Sequence, residues 1–257
     1  MPRMLDKYTM QARVIPALIV LLPLVLAAVV WDPKFEDTIH LLGGVFVTMG
    51  AVALLAHIAR VAGKGAERSL LRQWGGLPST IMLRHSDQSL NPANKQRYHD
   101  ALGGLVPGIT IPTAEQEKAD PVAADHVYEA CCTWLRSQTI DDHKFHRLFA
   151  ENMSYGFRRN LYGLRKFATT SVIIGLAACG AKIWIDVRHH AAPAVTAIIC
   201  LFCCVALALA FISVLRSTSV RAAADDYAIR LLAAIDELSD IKPKKRVRKA
   251  KSDAEAE

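Results

Sequence analysis

Charged side chains nearly vanish from four stretches of this chain, each about as long as a bilayer is thick. A helix needs about 20 mostly apolar residues to cross a hydrocarbon core of roughly 30 Å. Residues 14–31 carry no charge; residues 39–59 hold only His40 and His57 near their ends; residues 167–185 and 193–215 complete the set. All four are too uniformly apolar for amphipathic surface helices. Short turns at residues 32–38 and 186–192 join them in pairs. The pattern predicts an all-α membrane protein: four transmembrane helices form two hairpins that flank a mostly helical domain at residues 60–166. Pro16 and Pro23 are expected to kink the first span. A cleaved signal is the alternative for that span, but its apolar run exceeds the usual core of about 7–15 residues.

Between the hairpins the pattern turns polar and is broken by turn residues. The second span is expected to continue as a helix to Trp74, before Gly75, Gly76 and Pro78. Thr80–Leu83 suggest a short strand. Asn91–Pro92 cap a helix that Gly103 and Gly104 should stop. Residues 107–121 look like a surface loop, Asp120–Pro121 cap another helix, and Asp141–Asp142 open a third that feeds the next span.

After the fourth span, residues 216–241 keep a helical period. Val220, Ala224, Tyr227, Leu231, Ala234, Leu238 and Ile241 recur in steps of four and three, a short heptad stripe suited to self-association or to packing on the middle domain. Pro243 should end this helix. Residues 242–257 are basic, then acidic, as in a solvated tail.

Charge orients the hairpins. Arg3, Lys7 and Arg13 precede the first span; Arg60, Lys64, Arg68 and Arg72 follow the second; Arg158, Arg159, Arg165 and Lys166 precede the third; Arg216 and Arg221 follow the fourth. Lys and Arg mark cytoplasmic flanks, so residues 1–13, the middle domain and the tail are all expected in the cytoplasm, with a bacterial inner membrane as the setting. The net charge of +7 has the same origin, and nucleic acid is not the expected partner. Hydrophobic residues make up 52% of the 257, little above the roughly 45–50% of a soluble domain, so the distribution is the signal and not the total.

Chemistry adds little. No phosphate-cradling loop of the form G-x-x-x-x-G-K-[ST] or G-x-G-x-x-G occurs. His143 and His146 share a helix face, but a catalytic zinc usually takes three protein ligands, so no metal or cofactor is expected. His85, Asp87 and His99 could form an acid–base cluster or a solvated turn. Lys182 lies inside the third span with Asp186 one turn on; it suits snorkelling with a paired carboxylate, or a pore-facing charge. Ser171, Gly175 and Ala178, and Gly43, Gly44 and Gly50, form small-residue stripes for helix packing. The most distinctive stretch is YGFRRNLYGLRK. There Tyr155, Phe157 and Tyr162 interleave with Arg158, Arg159, Arg165 and Lys166, with Gly156 and Gly163 as bend points. It is expected to contact anionic lipid, or to dock a negatively charged ligand such as a nucleotide signal.

The function expected is a non-enzymatic sensor or effector, whose cytoplasmic domain gates or assembles the membrane helices with a homo-oligomer or protein partner. In layout, though in no motif, the chain resembles the small pore-forming effectors of bacterial antiviral systems. The alternatives are a membrane-bound enzyme acting on a lipid-linked substrate, through His85, Asp87, His99, His143 and His146, and a structural subunit of a membrane complex.

Overall fold

The computed structural model describes residues 7–32 and 50–254, with side chains through Ser239. Among these residues every regular element is helical. The helices are α1 (Lys7–Trp31), α2 (Ala51–Trp74), α3 (Pro78–Leu83), α4 (Pro92–Leu105), α5 (Ala114–Ala119), α6 (Pro121–Gln138), α7 (His146–Gly163), α8 (Arg165–Arg188), α9 (Val195–Val214) and α10 (Ser217–Ala254). Three of them, α1, α8 and α9, are long and apolar enough to cross a membrane. They match the predicted spans at 14–31, 167–185 and 193–215. For the remaining span, residues 39–49, with Gly43 and Gly44, lie outside the described residues. Its last residues open α2, which runs on to Trp74 as expected.

The chain divides into two units. The first holds residues 1–70 and 153–221; the second holds residues 71–152 and 222–257. In the first unit α1, α8 and α9 pack along two apolar seams. One gathers Ala17, Val20, Ala168, Val172 and Phe211; the other gathers Val30, Cys179, Ala197, Cys200 and Cys204. Small side chains set the spacing. A Cβ on Gly175 would stand 2.9 Å from the Pro23 carbonyl oxygen and 3.0 Å from Cys204 Sγ, so this glycine lets α8 approach α1 closely. Helix α1 runs unbroken past both prolines, and its irregularity lies earlier, where Met10–Val14 widen into a π-helical turn. Such turns form where a side chain enters the backbone ladder. Here the buried Asn160 amide donates to the Ala12 carbonyl at 2.6 Å. The outer faces stay apolar: Ile173, Phe202, Leu209 and Ile212 are each more than 60% exposed. That composition suits hydrocarbon and is costly in water.

The second unit has a core of its own. Leu83, Leu102, Tyr128, Cys131, Leu135, Leu231, Leu232 and Ile235 are completely covered, and Leu105 and Phe145 close the edges. Each fully buried Leu contributes roughly 1.5–3 kcal/mol relative to an exposed one. Four local expectations change here. Residues 80–83 are helical, not a strand: Pro78 occupies the first helical turn, and burial of all six residues of α3 outweighs the β-branched pair. Gly103 and Gly104 lie inside α4, which ends at Leu105. The expected loop at 107–121 contains α5, started by a capping box in which Thr113 accepts from the Gln116 amide and the Gln116 side chain accepts from the Thr113 amide. Asp141 organises a turn by accepting from the His143 and Lys144 amides, and α7 begins only at His146. Helix α10 also continues through Pro243 to Ala254, carried by a run of Lys, Arg and Ala, all good helix formers.

Candidate functional site

The basic–aromatic stretch falls on α7 and the first turn of α8, where half of it turns inward. Tyr155 is buried and donates its hydroxyl to Glu67 Oε1 at 2.5 Å. Arg159 reaches both oxygens of the same carboxylate, at 3.0 and 3.2 Å. The two charged side chains are only 12% and 19% exposed. The Arg159 guanidinium also lies 5.5 Å from the Tyr155 ring centroid. Burial opposes the charge on Arg159, but attraction to Glu67 and the hydrogen bond outweigh it and raise its pKa. Burial, then the Glu67 charge, push the Tyr155 hydroxyl up, so it stays a donor. This is a buried, hydrogen-bonded charge pair, the kind whose disruption costs about 3–5 kcal/mol. It clasps α2 to α7.

The same two helices cross at glycines. A Cβ on Gly163 would lie 2.5 Å from the Ala62 carbonyl carbon and oxygen, and a Cβ on Gly63 would overlap the Asn160 side chain. Sequence reasoning took Gly163 as a bend point; in the structure its role is close approach.

The rest of the stretch spreads outward. Phe157 packs against the first apolar seam, and Arg158 Nη1 donates to the Ser219 carbonyl at 3.3 Å. Arg165 lies over the Tyr162 ring, 4.3 Å from its centroid, and donates to the Tyr162 carbonyl at 3.1 Å. Lys166 is exposed. At the other end of α8, Lys182 pairs with Asp186, whose second oxygen accepts the Ala194 amide at 3.2 Å. That pair therefore ties the α8–α9 turn. Of the heptad stripe, Val220 is buried in the first unit, while Leu231 and Ala234 lie inside the second unit's core with Tyr227 and Leu238 against it. The chain's own core takes up that face. Ile241 lies outside the residues with described side chains.

A second polar cluster lies in the second unit. Glu117, on α5, accepts from the His85 and Ser86 amides at 2.7 and 3.1 Å and from the Tyr128 hydroxyl at 2.8 Å. Burial works against its charge, but these three donors prevail and hold its pKa below the ordinary 4.5. The Tyr128 hydroxyl is pushed up by burial and by its bond to Glu117. The His99 ring stacks on Tyr128 with centroids 5.8 Å apart and meets His85 edge-on at 4.7 Å. His99 Nε2 lies 2.7 Å from the Leu83 carbonyl, so the neutral ring donates there. Burial lowers the His99 pKa below 6.5; the Leu83 bond opposes this, while His85 and Lys95 reinforce it. Lys95 is buried, its ammonium donating to the Arg84 and Asp87 carbonyls.

His85 borders two clefts. One, of about 680 Å³, is shared with Arg84, Glu117, Lys118 and Asp125; the other, of about 490 Å³, includes His99. Arg84 grips Asp125 at 2.7 Å through two nitrogens. The expected trio of His85, Asp87 and His99 is therefore rebuilt: the histidines meet, Glu117 supplies the carboxylate, and Asp87 caps Ser89 instead. The His143 side chain is 99% exposed, and its nearest acid is Asp142 at 4.0 Å. Among the described residues no group of three or more His, Cys, Asp or Glu is placed to hold a metal ion.

Sequence reasoning missed Glu67, Asn160, Glu117 and Tyr128. Glu67 had one signal, since it follows Gly63 by one helical turn on the same face of α2. No protein-family model, curated protein or solved structure matches this chain.

Proposed function

We propose that this chain is a membrane-embedded sensor or effector without catalytic chemistry of its own, in which the second unit recognises a ligand or partner and sets the arrangement of the membrane helices. The observation that carries this reading is where the two units divide. The boundaries at 70/71, 152/153 and 221/222 fall inside α2, α7 and α10. A helix transmits displacement where a loop would absorb it. On the first unit's side, Glu67 and Arg159 clasp two of those three helices. The histidine–Glu117 cluster and its flanking clefts are the candidate recognition surface for a nucleotide-like signal or a protein. Cation-rich flanks favour cytoplasmic placement of the second unit and both termini, in a bacterial inner membrane. The output would be opening or assembly of the helices.

The test is dye and ion release from proteoliposomes containing the full chain. Glu67→Gln keeps the shape of the clasp but removes its charge, and should increase release over the unaltered protein. If neither protein releases dye or ions while both are shown to be inserted, the effector reading fails.

A further inference from the structure

A groove of about 660 Å³ runs between the first turns of α8 and the last turns of α9. This volume falls in the range of small-molecule sites, roughly 300–1,000 Å³. Its two ends differ in chemistry. At the mouth stand Arg165, Lys166, Thr169 and Thr170; further along, the walls are apolar and include Phe211 and Ile212. No carboxylate is among the described residues that line it. Arg216 adds a third cation at this end, because its Nε donates to the Ile212 carbonyl at 3.0 Å.

Arg165 is held in place by the Tyr162 ring and carbonyl, which occupy one face and one nitrogen of a group with five N–H donors. Lys166 and Thr170 are exposed at the mouth. Thr169 directs its hydroxyl proton to the Arg165 carbonyl at 2.9 Å and is not a donor to a phosphate at the mouth. The aminoterminal turn of α8 adds partial positive charge.

A free phosphate would use only the mouth. The apolar remainder of the groove suits a hydrocarbon chain, and its wall includes the exposed side chains of Ile173 and Ile212.

We infer that this groove binds one anionic phospholipid, with its phosphate between Arg165, Lys166 and Thr170 and an acyl chain along Phe211 and Ile212. The inference rests on the membrane reading and gives it a specific ligand class. The bound lipid would fill the groove between α8 and α9, so the lipid composition of the bilayer would bear on how firmly those two helices hold together.

The experiment uses the full chain reconstituted in phosphatidylcholine vesicles doped with phosphatidylglycerol, extracted in mild detergent, with bound lipid counted by native mass spectrometry. One phosphatidylglycerol should remain per chain in preference to phosphatidylcholine. The R165Q/K166Q variant should bind it more weakly by on the order of thirtyfold, from the loss of two cations near an anionic headgroup. Ala208→Phe, which narrows the groove but keeps the cations, should also release it. Equal retention of the two lipids, unchanged retention in R165Q/K166Q, or displacement by inorganic phosphate alone would each overturn the inference. A chain that washes off vesicles in alkaline carbonate would sink the membrane reading itself; an inserted chain with no preference for phosphatidylglycerol would sink only the lipid site.

Discussion

Two glycines on one helix should respond oppositely to the same substitution. Gly63 and Gly65 both lie inside α2, and replacing either by Ala gains about 0.8–1 kcal/mol of helix propensity. At Gly65 the added methyl meets nothing within 4 Å, so that gain should appear in full. At Gly63 it would overlap the carboxamide of Asn160, which is fully buried and donates to the Ala12 carbonyl. Overpacking a filled interior costs about 1–3 kcal/mol. Displacing the amide orphans a buried donor and acceptor, for about another 1–3 kcal/mol. The two variants should therefore differ by roughly 2–6 kcal/mol, with Gly65→Ala at or above the unaltered protein and Gly63→Ala below it. Gly163→Ala should be lower still, because its methyl meets backbone atoms of Ala62 and not a side chain. Melting of the detergent-solubilised full chain, followed by helical circular dichroism, reads the order directly. Asn160→Ala in the Gly63→Ala background removes the obstacle and should restore part of the loss. Equal melting of the Gly63→Ala and Gly65→Ala variants would refute the account of the α2–α7 crossing.

Four further outcomes follow from the second unit. Glu117→Ala strands two backbone amides and a buried hydroxyl; hydrogen exchange across residues 84–87 and 114–119 should accelerate by about a hundredfold, equivalent to roughly 3 kcal/mol, and less than a tenfold change would count against the cluster. The depressed Glu117 pKa means its stabilisation is present above pH 4.5 and lost as the pH falls through the folded value, so the unit should be acid-labile, and Glu117→Gln should flatten that limb. His99, lowered by burial, has the same sign from a different cause: below pH 6.5 the unfolded chain takes up a proton that the folded one resists, so stability should fall with acid from there, and His99→Gln should remove the slope. Cys131, pushed by burial and by neighbouring Cys132 up to about 12, should resist maleimide at pH 8 until the unit is denatured, unlike the exposed Cys203; rapid labelling at Cys131 in the folded protein, located by peptide mapping, would show that the core is open there.

Most of the helical architecture was legible because hydrocarbon imposes a length and a composition on whatever crosses it, and three of the predicted spans stand among the described residues. The capped starts at Asn91–Pro92 and Asp120–Pro121 were equally plain, because a side-chain oxygen before a proline has a local use. What escaped was set by burial and distance. Thr80 carries a strand preference, yet α3 is helical because all its residues enter the core. Arg159 looked like a surface cation because nothing in YGFRRN reveals that Glu67 waits 92 residues earlier in the chain. Glu117 was hidden for the same reason: its donors come from His85, Ser86 and Tyr128, which only the fold brings together.

The core of the second unit draws Leu231, Leu232 and Ile235 from beyond the last apolar helix. Residues 71–152 therefore emerge from the ribosome well before the segment that covers them, with the apolar helices α8 and α9 made in between. Since chains are made at about 5–20 residues per second, the greasy flank around Leu102, Leu135 and Phe145 stays uncovered for several seconds on every round of synthesis. A nascent chain stalled before Leu231 should be sticky and quickly degraded. Synthesis of the segment from Leu231 to Ile235 is thus itself the step that closes this half of the molecule.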